Sequence, residues 1–191
     1  MGHDGYAPPP NYIVGIGGSA GGLSAYMALL DALSSHTGMA FVIVAHLLPT
    51  ANTQLAEILS RNTTMKVELA SNAMPIQANC VYVIPSNSDL TITQNAIFTV
   101  VSPRIRRNNQ VDLFLTSLAE VMGPHAIAVI LSGGDGDGAK GCRHIKKHGG
   151  TTFAQDQSAE VNSMPLSALA TGCVDFVMPP GQIAEQLQKM V

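Results

Sequence analysis

The segment Tyr12-Ile13-Val14-Gly15-Ile16-Gly17-Gly18-Ser19-Ala20-Gly21-Gly22 runs from an apolar stretch straight into glycines, and Leu23 to Leu33 behind it reads as an apolar helix. The pattern then recurs in kind. Phe41 to Ala45 is a second continuous apolar run, followed by a predicted helix from about Thr53 to Arg61. Runs that are apolar on both faces and alternate with helices indicate parallel strands buried between helix layers. Lys66 to Leu69 and Val81 to Ile84 are further strand candidates. Leu90 to Thr93 and Ile97 to Val100 alternate in polarity around Gln94-Asn95-Ala96, which predicts an antiparallel hairpin. Beyond the basic loop Arg104 to Arg107, helices are expected over Val111 to Met122, Gly138 to His148 and Met164 to Thr171. Strands are expected over Ala126 to Leu131, Thr152 to Ala154 and Asp175 to Met178, before a terminal helix ending near Met190. The expected fold class is α/β: a doubly wound, mainly parallel sheet between helix layers, Rossmann-like, with one antiparallel hairpin.

The chain has 191 residues, enough for one domain with a full hydrophobic core. Residues 1–11, with Pro8-Pro9-Pro10 near their end, read as a leader or linker remnant, and residues 12–191 as the folded unit. Charged residues are 12% of the chain, about half the ~25% usual for soluble domains, so neutral polar residues carry much of the solvation. A net charge of -3 argues against nonspecific nucleic-acid binding, which runs on a cationic surface. No apolar stretch is long enough to span a bilayer, and the start of the chain lacks the pattern of a secretory signal. Cys80, Cys142 and Cys173 lie far apart without paired CxxC spacing, as expected of reduced thiols in a cytoplasmic protein.

Ligands and catalytic groups of open α/β sheets collect at the carboxyl ends of the strands. Three such ends carry unusual chemistry here. In the first, Gly15, Gly17 and Ala20 form a GxGxxA pattern that could belong to a dinucleotide loop, but that reading expects an acid at the end of the next strand. Gly17, Ser19 and Gly21 also form GxSxG, the pattern of a turn that exposes a serine hydroxyl beside helix N-terminal amides. A plain helix N-cap serine is the third reading. The second strand end is Ala45-His46-Leu47-Leu48-Pro49. Consecutive parallel strands are usually neighbours, so His46 falls beside Ser19, and imidazole takes a proton well near neutral pH. The third is Leu131-Ser132-Gly133-Gly134-Asp135-Gly136-Asp137-Gly138-Ala139, whose spacing fits neither a P-loop nor an EF-hand. It presents a carboxylate able to orient a histidine, or simply to cap a helix. Nucleophile, base and acid are thus available in the order Ser19, His46, Asp137, which differs from the α/β-hydrolase, chymotrypsin and subtilisin orders.

These motifs resemble the catalytic domain of the chemotaxis protein-glutamate methylesterases of the CheB type. The resemblance covers about residues 12 to 185 and extends through Phe153-Ala154-Gln155-Asp156, Met164-Pro165 and Ala170-Thr171-Gly172. The Gly150 to Pro180 run looks closer to the esterase segments of methylesterase–methyltransferase fusion proteins. The resemblance implies a serine esterase that hydrolyses glutamyl methyl esters on chemoreceptor cytoplasmic domains and releases methanol; some members also deamidate glutamines there. It places the catalytic residues on Ser19, His46 and Asp137, oxyanion donors near Ala20 and Gly134, and Met164 beside the substrate. It implies no cofactor and no metal. The partners implied are a methylated chemoreceptor and a receiver or methyltransferase domain, in cis or in trans, with no nucleic acid and no membrane insertion. Gly134 and Asp135 stand where such proteins usually carry Met and Gly. Asp135 and Asp137 are two residues apart, so only one can face His46 Nδ1, and the resemblance selects Asp137.

Two other clusters have plainer expectations. His144 and His148 are four apart on a predicted helix, but a third metal ligand is missing and cations there complement the helix dipole. Seven of the ten Lys and Arg residues fall between Arg104 and Lys147, as a solvated face or as a basic rim for an acidic partner. A Rossmann-like nucleotide-binding or non-catalytic regulatory module built on the same glycine loop is the alternative from another class.

Overall fold

The computed structural model describes residues 8–46, 51–105 and 108–191, the side chains of 51–53 excepted. The elements run β1 (Ile13–Gly18), α1 (Gly22–Asp31), β2 (Ala40–Ala45), α2 (Ala51–Ser60), β3 (Lys66–Leu69), β4 (Cys80–Val83), β5 (Asp89–Thr93) and β6 (Ile97–Val101). They continue with α3 (Gln110–Met122), β7 (Ala126–Ile130), α4 (Ala139–Lys147), β8 (Thr151–Gln155), α5 (Ser163–Leu169), β9 (Phe176–Met178) and α6 (Pro180–Gln188). A short 3-10 turn at Gly123–His125, not anticipated from the sequence, joins α3 to β7.

Seven strands form one sheet in the order β3-β4-β2-β1-β7-β8-β9, and every pairing in it is parallel. The expected hairpin is present as a separate antiparallel pair, β5 with β6. The α/β, doubly wound architecture therefore holds, with element ends shifted by a residue or two.

Alternation along each strand sends successive side chains to opposite faces. Ile13, Val42, Val44, Ala128 and Ile130 pack with Val111, Phe114 and Leu118 of α3, Ile145 of α4, Met164 of α5 and Leu90 and Phe98 of the hairpin. Val14, Ile16, Phe41, Ile43 and Val129 pack with Leu29 of α1, Leu59 of α2 and Leu187 of α6. Both faces of β1, β2 and β7 are covered, which is why all three read as unbroken apolar runs.

The glycines of β1 are explained by this packing. A methyl group at Gly15 would lie 2.6 Å from Leu115 Cδ2, and one at Gly17 would lie 2.6 Å from Val111 Cγ1. They let α3 approach the centre of the sheet closely enough to bring its N-terminus over the carboxyl ends of the strands. Chain order reverses direction at β1, with β2 on one side and β7 on the other. This is the switch point where an open α/β sheet leaves a crevice.

Candidate active site

Ser19 follows β1, His46 follows β2, and Asp135 and Asp137 follow β7, so three adjacent strands deliver the candidate residues to one place. Backbone hydrogen bonds align these strand ends. Ser19 N–H donates to Ser132 O at 2.8 Å, and His46 N–H donates to Gly18 O at 3.1 Å. Ser19 and His46 line one cleft of about 560 Å³ together with Ala20, Gly21, Gly22, Leu23, Ser24 and Glu160.

Ser19 is not a helix cap. The residue capping α1 is Gly21, in the left-handed region at φ 72°, and it makes no side-chain cap bond. Ser19 Oγ has no hydrogen-bond partner among the described residues, and Ser19 is partly exposed, which leaves its hydroxyl open to the cleft. The N–H groups of Ala20 and Gly134 likewise have no acceptor among the described residues, and both residues are exposed. Gly133 is the residue packed against the serine: a methyl group there would lie 3.1 Å from Ser19 Cβ and 2.0 Å from Met164 Sδ. Met164 itself is fully buried, so it floors the loop under Gly133 instead of facing the cleft.

His46 is held by two carboxylates. Its Nδ1 lies 2.9 Å from Asp135 Oδ2, and its Nε2 lies 2.6 Å from Asp137 Oδ2. Asp137 therefore meets the histidine as expected, but through Nε2, and the Nδ1 position expected for Asp137 belongs to Asp135. The reason is local. Asp135 Oδ1 accepts the Asp137 N–H at 2.9 Å, an Asx turn that folds both carboxylates toward the same ring. Burial lowers the tendency of His46 to charge, but the hydrogen bonds and negative charges of Asp137 and Asp135 outweigh it and raise its pKa above the ordinary histidine value.

Asp137 is itself fixed from behind. Its carboxylate accepts the N–H groups of Val111 at 2.9 Å and Asp112 at 2.8 Å, in the first turn of α3. In return, Asp112 Oδ1 accepts the N–H groups of Gly138 at 2.9 Å and Gly141 at 2.8 Å, at the head of α4. Asp137 thus caps a helix, as one reading of the sequence allowed, but the helix is α3 and not its own. Burial raises the Asp112 pKa, the Gly141 amide opposes this, and the nearby Asp137 raises it further.

Sequence reasoning missed the grip of Asp135 on His46, the bracing role of Asp112, and Glu160, whose Oε1 accepts a hydrogen bond from Ser24 at the cleft wall. The signal for the first was two acids two residues apart on one glycine-rich turn. His148 Nδ1 lies 2.9 Å from His144 O, closing the end of α4. No group of three or more metal-ligating side chains occurs among the described residues. Burial pushes the Cys142 thiol up to about 12, which removes it as a nucleophile. Leu47, Leu48 and Pro49 of the histidine motif, and Arg106 and Arg107 of the basic loop, lie outside the described residues.

Comparison with known proteins gives matches over nearly the whole chain. The family model described as CheB methylesterase matches residues 14–187. A relative from Leptospira interrogans is 34% identical over 173 residues, covering 89% of this chain and 90% of the relative. The protein-glutamate methylesterase/protein-glutamine glutaminase of Hydrogenovibrio crunogenus is 28% identical over 97% of this chain, which spans about half (51%) of that relative. The protein-glutamate methylesterase FrzG of Myxococcus xanthus is 32% identical over 96% of this chain and 56% of its own length. The crystal structure of the Thermotoga maritima CheB methylesterase catalytic domain superposes with a TM-score of 0.88 at 31% identity, covering 94% of this chain and 98% of that one.

Proposed function

The chain belongs to the CheB methylesterase family, and from that premise we propose that it is a serine esterase that demethylates glutamyl methyl esters on a chemoreceptor, releasing methanol. The observation that carries this reading is the meeting of Ser19 and His46 in one cleft at the ends of adjacent strands, with Asp137 bonded to the imidazole.

Ser19 Oγ attacks the ester carbonyl while His46 accepts its proton. The amides of Ala20, two residues before α1, and of Gly134, both without an acceptor among the described residues, stabilise the oxyanion. His46 then protonates the departing methanol, and water hydrolyses the acyl-enzyme by the same route in reverse. Asp137 supports the imidazolium formed in each step. A glutamine side chain offers the same carbonyl with ammonia as leaving group, so deamidation needs no additional residue.

The protein substrate is a methylated receptor segment, and the basic residues Lys140, Arg143 and Lys147 of α4 suit an acidic one, whereas Lys146 is paired with Asp175. A receiver or methyltransferase domain, in cis or in trans, is the proposed regulatory partner, with residues 1–11 as leader or linker and 12–191 as the catalytic unit. No helix among the described residues is long and apolar enough to cross a membrane. A cytoplasmic location is part of the same proposal. The family match favours this reading over a nucleotide-binding module, and the β1 glycines that suggested the latter are occupied in seating α3.

Methanol release from a methylated receptor, compared between wild type and Ser19→Ala, tests the assignment. The variant is expected to fold normally, lose several orders of magnitude in rate and escape labelling by a fluorophosphonate. Unchanged turnover in Ser19→Ala would overturn it.

A further inference from the structure

The two oxygens of Asp135 have separate duties: Oδ1 holds the turn through the Asp137 N–H, and Oδ2 engages His46 Nδ1 at 2.9 Å. A neutral imidazole has one N–H and one lone pair, whereas ionised carboxylates only accept. Two carboxylates on the two ring nitrogens are therefore both satisfied only by the imidazolium. With both nitrogens engaged, neither serves Ser19 Oγ, which lines the same cleft and is unbonded among the described residues.

We propose that Asp135 is a positioning residue that, together with Asp137, clamps His46 in a closed form, so that the base reaches Ser19 only after the imidazolium gives up a proton. This rests on the esterase reading of Ser19 and His46. The proton leaves to water, and the nitrogen it vacates carries a lone pair that repels the carboxylate it faced. That nitrogen can then accept the Ser19 hydroxyl proton.

The two clamping acids differ in how firmly they are held. Asp137 has a fully buried side chain fixed by two amides of α3, whereas the Asp135 side chain is 29% exposed. Asp135 is the partner able to let go. Among the described residues, the charged groups that act on the ring are acidic. Asp135 and Asp137 face it from the loop after β7, Asp112 backs Asp137 from α3, and Glu160 lines the same cleft. Among the described residues, no Lys or Arg pairs with any of these four acids. Release is therefore controlled by the proton on His46, and the raised pKa of this residue agrees with that.

The test uses the full chain with Asp135→Asn, which keeps the Oδ1 acceptor of the turn, and Asp135→Gly, which removes both. The ring nitrogens of His46 are titrated by long-range proton–nitrogen NMR, with His46→Gln identifying the signal among the six histidines. The pH profile of methanol release is measured on the same proteins. In wild type the rate is expected to rise with the His46 titration, above the ordinary histidine range. In both variants the two midpoints are expected to fall together, and the rate at pH 6, taken as a fraction of the high-pH plateau, to rise about tenfold, the smaller end of the influence of a contacting carboxylate. The plateau of Asp135→Asn, which keeps the turn that seats Asp137, should stay within a few-fold. Unmoved midpoints would overturn the clamp, and so would an Asp135→Asn plateau lowered by orders of magnitude, which would make Asp135 the essential acid. A wild type whose His46 titrates as described, yet releases no methanol at any pH, would overturn the esterase reading while the clamp stands.

Discussion

Asp112 and Asp137 exchange carboxylates: each side chain accepts the amide protons at the head of the helix that carries or follows the other. The exchange ties α3 to α4 and fixes the acid that touches His46. Four amide donors would lose their acceptors if both side chains were removed, so the pair is structural and functional together.

Removing one side of this exchange gives the first prediction. Asp112→Ala leaves the Gly138 and Gly141 amides without their acceptor and is expected to cost about 2 kcal/mol, in the range of a lost cap with buried donors. Asp112→Asn keeps an oxygen at the same place and should cost less than half of that. Urea denaturation of the three proteins measures it; equal stability of Asp112→Ala and wild type would refute the bracing role.

The charge state of His46 predicts a pH dependence of stability. A histidine whose pKa is raised on folding contributes stability that is fully present below its unfolded value of ~6.5 and is lost as pH rises through the folded value. The gap in melting temperature between wild type and His46→Gln should accordingly be wider at pH 6 than at pH 9. A gap that widens toward alkaline pH would mean that the folded protein keeps the ring neutral.

Space beneath the serine supplies the third prediction. Gly133→Ala puts a methyl group 2.0 Å from Met164 Sδ and 3.1 Å from Ser19 Cβ, so the loop or the buried methionine must move. Overpacking of this kind costs about 1–3 kcal/mol. Displacing a nucleophile by a fraction of an ångström is expected to lower kcat more than about tenfold. Steady-state methanol release and thermal melting read the two effects separately, and wild-type kinetics in a destabilised variant would show that Ser19 is not seated on Gly133.

The sheet was legible because its central strands are buried on both faces, so Ile13 to Ile16, Phe41 to Ala45 and Ala126 to Ile130 show as apolar runs without any knowledge of partners. The hairpin was legible for the opposite reason: Leu90, Ile92 and Phe98 are buried while Thr91, Thr93, Ile97 and Thr99 are half-buried or exposed. Ser19 and His46 could be paired because successive parallel strands tend to adjoin. What stayed hidden depends on contacts between distant segments. Gly15 and Gly17 fit a nucleotide loop as well as a packing site until Leu115 and Val111 of α3 lie against them. The duty of Asp112 depends on Gly138 and Gly141, in another helix. The hold of Asp135 on His46 requires the turn closed by the Asp137 amide, and the expectation that placed Asp137 on Nδ1 had no means of seeing that turn.

The sheet order has a consequence for when this protein can become active. His46 and Asp137 are 91 positions apart, and the strands before them flank β1 on opposite sides. A chain emerging from the ribosome carries Ser19 and His46 long before β7 exists, and until β7 docks on the far edge of β1 the histidine has neither carboxylate. Reactivity at Ser19 that depends on those acids therefore arises only once both halves of the sheet have joined. A fragment that ends before β7 lacks both carboxylates that hold His46.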